Sequence, residues 1–169
     1  PVAIAGTDII GIAQTGTGKT LAFGIPMVQR LAQEQYGRGL IVVPTRELAL
    51  QIAEVFDSIA RHTRVRTLCV FGGVEQDPQI ARLEKGVDIL VATPGRMFDL
   101  VSQGHIHLNR VQMLVLDEAD HMLDLGFIKD IQDLVPFEAD GIIGAIAGRA
   151  LYEGKLDFRE ALKAAKGGQ

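Results

Sequence analysis

Short apolar, β-branched runs alternate along the chain with longer stretches of helical period. Residues 8–13, 40–43, 67–71, 88–92, 113–116 and 141–147 predict strands by this pattern. Runs such as Ile41-Val42-Val43 and Leu114-Val115-Leu116 show no polar alternation. Such strands are buried on both faces, which requires a parallel sheet covered by helices on each side. The prediction is an α/β fold with a doubly wound parallel sheet in three layers, α/β/α. Between the strands, Leu48, Ile52, Val55, Phe56 and Ile59 recur at spacings of three and four and predict a helix with one core-facing side. Met27, Met97, Met113 and Met122 also fall at core spacings.

Composition limits what this fold carries. With 169 residues, 47% hydrophobic and 22% charged, the chain is one domain with a substantial core. Lys plus Arg number 17 against 21 for Asp plus Glu, a net charge of -4, so any nucleic-acid contact is local rather than spread over a basic surface. A single cysteine, Cys69, excludes an internal disulfide and a multi-cysteine zinc site, and predicts a small core hydrophobe in a reduced compartment. No apolar run reaches the roughly 18 residues of a spanning helix, and residues 1–15 lack the pattern of a signal peptide, so a soluble, cytoplasmic protein without membrane partners is expected. The opening Pro1 reads as the start of an excerpt. His105 and His107 alternate but lack a third ligand and read as loop or strand-edge residues, while Arg61, Arg64 and Arg66 read as a solvated helix end.

Chemistry is concentrated at two places. Ala13-Gln14-Thr15-Gly16-Thr17-Gly18-Lys19-Thr20 lies between a predicted strand and a helix beginning near Lys19, with Ala13 where the pattern normally has Gly. Gly16 and Gly18 let successive amides turn inward around a phosphate, and the following helix adds its positive end. Thr15, Gly16, Thr17, Gly18, Lys19 and Thr20 are therefore the candidate nucleotide-binding residues. Lys19 supplies charge to the β and γ phosphates, and the Thr20 hydroxyl suits the accompanying Mg2+. The second place is Leu114-Val115-Leu116-Asp117-Glu118-Ala119-Asp120, where carboxylates follow directly on a buried strand. Ligands of open α/β sheets sit at that edge. Asp117 is the candidate metal residue with Thr20; Glu118 is the candidate for orienting an attacking water, catalytic together with Lys19. His121, close by, is a candidate neighbour of the nucleotide.

With Pro44-Thr45-Arg46-Glu47, Gly72-Gly73, Thr93-Pro94-Gly95-Arg96 and Asp117-Glu118-Ala119-Asp120 in this order after the phosphate loop, residues 1–135 resemble the first RecA-like domain of DEAD-box ATP-dependent RNA helicases. The resemblance implies a P-loop RecA-like sheet and binding of ATP or ADP with Mg2+. It also implies that Pro44, Thr45, Arg46, Gly72, Gly73, Thr93, Pro94, Gly95 and Arg96 grip the sugar-phosphate backbone of single-stranded RNA. Such contacts carry no base information. The family's adenine-reading Gln precedes the first strand, in a region that this chain omits or enters only partly, and its Ser-Ala-Thr strand end is missing here.

In that place residues 139–157 and the helix after them resemble the last βα unit of the (β/α)8-barrel isomerases of histidine biosynthesis, where Gly148-Arg149-Ala150 implies a phosphate-holding turn. The expectation is a single chimeric domain over residues 1–169, engineered or recombined, in which residues 136–169 form a barrel-derived strand and helix completing the helicase-like sheet. Such a chain binds nucleotide and, weakly, single-stranded RNA, with at most slow ATP hydrolysis and no unwinding alone. An incomplete sheet edge adds self-association. The alternatives are a purely structural fold chimera whose phosphate loop is idle and, in place of a chimera, a natural, divergent helicase fragment.

Overall fold

The computed structural model describes residues 18–33 and 37–127. The predicted strands at 8–13 and 141–147, the loop residues Thr15, Gly16 and Thr17, and Gly148-Arg149-Ala150 lie outside the described residues. Among the described residues, four parallel strands stand in the order β2-β3-β1-β4: β1 is Arg38–Val42, β2 Thr67–Val70, β3 Ile89–Ala92 and β4 Val111–Leu116. Helices α1 (Lys19–Gln33), α2 (Arg46–Ala60), α3 (Asp77–Glu84), α4 (Pro94–Ser102) and α5 (Ala119–Asp124) connect or flank them, with a 3-10 turn at Leu108–Arg110.

The uninterrupted apolar runs are explained by burial on both sheet faces. Successive residues of β1, and Val43 just after it, enter opposite cores: Leu40 and Val42 pack with Met97 and Leu100 of α4, whereas Ile41 and Val43 pack with α1 and α2 through Met27, Ile52 and Phe56. Each strand therefore contributes to two cores, and the three-layer arrangement follows. The helix predicted from Leu48 onward is α2, whose Ala49, Ile52, Phe56 and Ala60 are buried. Thr45 caps it, its Oγ1 accepting from the Leu48 amide at 3.3 Å. The four methionines are all buried, at 2, 0, 8 and 0% exposure for Met27, Met97, Met113 and Met122.

One strand departs from the expectation. The run 67–71 reads as continuously buried, but β2 alternates half-buried and buried positions because it pairs only with β3 among the described residues. Cys69 is accordingly half-buried, and its thiol donates to the Ala49 carbonyl at 3.2 Å. Burial, with a lesser push from Asp57, raises the thiol to about 11. Two units above a free thiol leave about a hundredfold less thiolate. Alkylation by iodoacetamide at pH 8 should thus be about a hundredfold slower in the native protein than in urea. Equal rates by mass spectrometry would show that Cys69 is not sheltered.

Candidate functional site

All four parallel strands end level with one another, and this sets the site. The ladder continues past their ends: the Val43 amide donates to the Ala92 carbonyl, Thr93 to Val70 and Asp117 to Val42, at 2.9 to 3.1 Å. The segments after β1, β2, β3 and β4 therefore share one sheet edge, as the sequence predicts. Across that edge the strand order places Gly72-Gly73, Thr93–Arg96 and Pro44–Arg46 side by side, with Asp117-Glu118 beyond them.

Lys19 opens α1, and its Nζ stands 3.6 Å from Oδ1 of Asp117, although the two are 98 residues apart in the chain. Gly18 precedes it at φ +83, a left-handed backbone that a side chain would strain, and an added Cβ would meet nothing within 4 Å. Thr20 is the next helical residue and half-buried. Asp117 is 3% exposed. Burial holds its carboxyl above the usual carboxylate value, against the pull of Lys19; the neighbouring Glu118 adds to the rise. A buried carboxylate that a single ammonium does not offset suits an added cation. Ammonium, hydroxyl and carboxylate together are the donor types that a magnesium nucleotide requires, so the described part of the site fits that ligand.

Glu118 has φ +53, left-handed for a residue with a side chain. Such a conformation costs about 1–2 kcal/mol. It is held by the Glu118 amide donating to Asp117 Oδ1 at 3.0 Å and by the Glu118 carbonyl accepting from Met122 at 3.1 Å. The turn directs the chain from β4 into α5, and Oε2 of Glu118 lies 3.5 Å from Nδ1 of His121. His121 thus contacts the candidate catalytic carboxylate. Strain concentrated on one acidic residue at a strand end is a common mark of functional sites.

The remaining segments are organised around residues 71–75. The Arg46 guanidinium lies 4.9 Å from the centre of the Phe71 ring, a cation–π contact that the sequence does not foreshadow. Gly72 and Gly73 are exposed, Gly73 at φ +78. Arg96 donates from Nη2 to the Val74 carbonyl at 2.8 Å, while its Nη1 is buried without a partner among the described residues. Thr93 and Pro94 form the start of α4, Pro94 buried and Gly95 exposed. Sequence reading overlooks Gln79, 8% exposed, which binds this loop from α3. The available signal is spacing: Gln79 falls with Ile80 and Leu83 on the inward side of an otherwise polar helix.

Other candidates resolve differently. Arg66 is more than a solvated helix end: its amide donates to Asp88 Oδ2 at 2.8 Å and its Nη1 to the Lys85 carbonyl at 2.7 Å. His105 and His107 are exposed and, with Arg38 and Asp88, line a cavity of about 30 Å³ at the opposite end of the strands. Among the described residues no cluster of three or more His, Cys, Asp or Glu could hold a metal, and no helix is long and apolar enough to cross a membrane.

A parallel sheet covered on both faces, with its polar segments gathered at the carboxyl edge, defines the class as a RecA-like α/β fold. A DEAD box protein from Methanococcus jannaschii has the same fold with a TM-score of 0.83 at 34% identity, over 99% of this chain and 44% of that one. The yeast DEAD-box splicing factor Prp28 gives 0.82 at 28% identity, over 94% of this chain and 39% of that one. The DEAD/DEAH box helicase family profile matches residues 1–138. The ATP-dependent RNA helicase DBP2 of Encephalitozoon cuniculi is 46% identical over 142 residues, 80% of this chain and 29% of that protein. The probable ATP-dependent RNA helicase DDX17 of Homo sapiens is 45% identical over 141 residues, again 80% of this chain but 19% of that protein. The chain belongs to the DEAD/DEAH box helicase family. It spans less than a third of the length of these two relatives.

Proposed function

We propose that this chain is a nucleotide-binding RecA-like domain that takes ATP or ADP with Mg2+ at the carboxyl edge of its sheet and offers the adjoining strand ends to the backbone of single-stranded RNA. The observation that carries this reading is the convergence of Lys19 and Asp117 at 3.6 Å, beside three segments that share the same edge. Lys19, with Thr15, Gly16, Thr17, Gly18 and Thr20, holds phosphate; Asp117 and Thr20 hold the metal. Bound Mg2+ offsets phosphate charge and polarises the phosphoryl group. Glu118, held in its strained turn, orients water. Pro44–Arg46, Gly72-Gly73 and Thr93–Arg96 face the RNA backbone. ATP hydrolysis by this chain alone is slow at most.

The test is a titration with a fluorescent ADP analogue in Mg2+, beside Lys19→Ala, after circular dichroism shows both folded. Saturable binding that weakens at least about a hundredfold in the variant, as expected for loss of a charged phosphate contact, supports the reading. A folded protein that binds no nucleotide overturns it.

That negative result supports a second reading, a fold chimera with an idle phosphate loop. Its motivation is that the family match ends at residue 138, while residues 139–157 carry the barrel-like run with Gly148-Arg149-Ala150. Left unpaired, the sheet edge would draw a second copy, which sedimentation would detect as a concentration-dependent dimer.

A further inference from the structure

The loop carrying Gly72-Gly73 is fixed by more than its sequence position. Gln79, in the first turn of α3, turns its buried amide back onto it. Its Oε1 accepts from the Phe71 amide at 3.0 Å, and its Nε2 donates to the carbonyls of Phe71 and Glu75, both at 3.2 Å. β2 ends at Val70, so this side chain supplies Phe71 with the paired donor and acceptor that a further strand would have given. One amide thus closes residues 71–75 into a ring.

A second set of contacts joins that ring to α4. Arg96 holds the Val74 carbonyl at 2.8 Å, and the side-chain amides of Gln76 and Gln103 face each other with both distances at 3.4 Å. The carbonyls of Phe71, Val74 and Glu75 are therefore all engaged by side chains. Gly72 and Gly73 remain exposed, with nothing within 4 Å of where a Cβ would stand.

We infer that Gln79 is a positioning residue that holds the Gly72-Gly73 turn in the shape that receives an RNA backbone and, with Arg96, makes that turn and the Thr93–Arg96 segment one rigid surface. The inference rests on the RNA-backbone reading proposed above. Gln79 is too deeply buried to touch RNA; its effect passes through the backbone of residues 71–75. Fixing the turn in advance removes an ordering penalty from binding. Nucleotide contacts, on the other side of the edge at Lys19 and Asp117, do not depend on it.

The experiment compares the full chain with Gln79→Ala and Gln79→Met for binding of a fluorescent oligouridylate and of the ADP analogue, with hydrogen exchange read over residues 71–75. Gln79→Met keeps the side-chain length and carries the test if the alanine variant does not fold. The expected result is RNA affinity lower by about tenfold, ADP affinity unchanged and faster exchange confined to the loop. Arg46→Ala serves as the control for the RNA surface itself. If Arg46→Ala weakens RNA binding and the folded Gln79 variants do not, the positioning role is overturned and the RNA reading stands. If the parent chain shows no saturable RNA binding, the RNA reading falls, and the role of Gln79 with it.

Discussion

Asp117→Asn is expected to make the ligand-free protein more stable near neutral pH and to weaken magnesium-dependent nucleotide binding about 10–100-fold, the range seen when a carboxylate that orients a metal's shell is removed. The two effects have one cause. Burial holds the Asp117 carboxyl above its usual value despite Lys19 at 3.6 Å, with Glu118 adding to the rise and its amide opposing it. A group whose folded-state value is raised binds its proton more tightly in the native protein. Its contribution to stability is full below the unfolded value and is lost as pH rises through the folded one. Above that raised value the ionised Asp117 is therefore a net burden on the empty fold, and the neutral amide removes it while still able to accept from Glu118. The advantage of the variant should fade as pH falls and Asp117 takes up its proton. Thermal unfolding across pH, with and without Mg-ADP, checks both halves. The parent should gain more from Mg-ADP than the variant does, because ligand stabilisation follows affinity. A variant less stable than its parent at pH 7 would show that the pairing with Lys19 outweighs burial.

The parts of this molecule legible in its sequence are those that follow from repetition and from chemical type. Continuous apolar runs placed β1, β3 and β4 because a strand buried on both faces has no polar alternation. The run at 40–43 nevertheless begins at Arg38 in the structure, since pairing with Val111 extends β1 into residues that hydrophobicity does not mark. β2 stands where its apolar run predicts a strand, but only its pairing decides that Cys69 is half-buried rather than enclosed. Convergence of the motifs at one edge was legible from parallel order alone. What escaped was held by side-chain conformation. Gln79 resembles a surface residue of α3, and nothing in Asp117-Glu118 announces that Glu118 must turn left-handed. Arg46 has a charged neighbour in Glu47, yet its guanidinium lies over Phe71, 25 residues away in the chain.

The site also depends on the core beneath it, and Phe56→Ala should show how strongly. Phe56 is fully buried on α2, and its ring lies 6.1 Å from that of Phe23 on α1, centre to centre. Between them Gly24 allows the helices to close: a Cβ there would stand 3.2 Å from Cζ of Phe56 and 3.0 Å from Cδ1 of Ile59. Removing the ring leaves a cavity under α1 and should destabilise the fold by about 3–5 kcal/mol. That is a large part of the roughly 5–15 kcal/mol that keeps a domain folded. Lys19 is the first residue of α1, so a helix that shifts on its bed carries the ammonium away from Asp117. ADP affinity should then fall even at temperatures where circular dichroism shows the variant folded, although no phosphate contact has been removed. Leu50→Ala, on the exposed side of α2 at 40% exposure, should change stability by about 0.5 kcal/mol or less. Urea unfolding of both variants beside an ADP titration separates the contributions. If Phe56→Ala costs less than about 1 kcal/mol, the α1–α2 contact is not what fixes the phosphate end of the site, and the position of Lys19 must be set by the sheet alone.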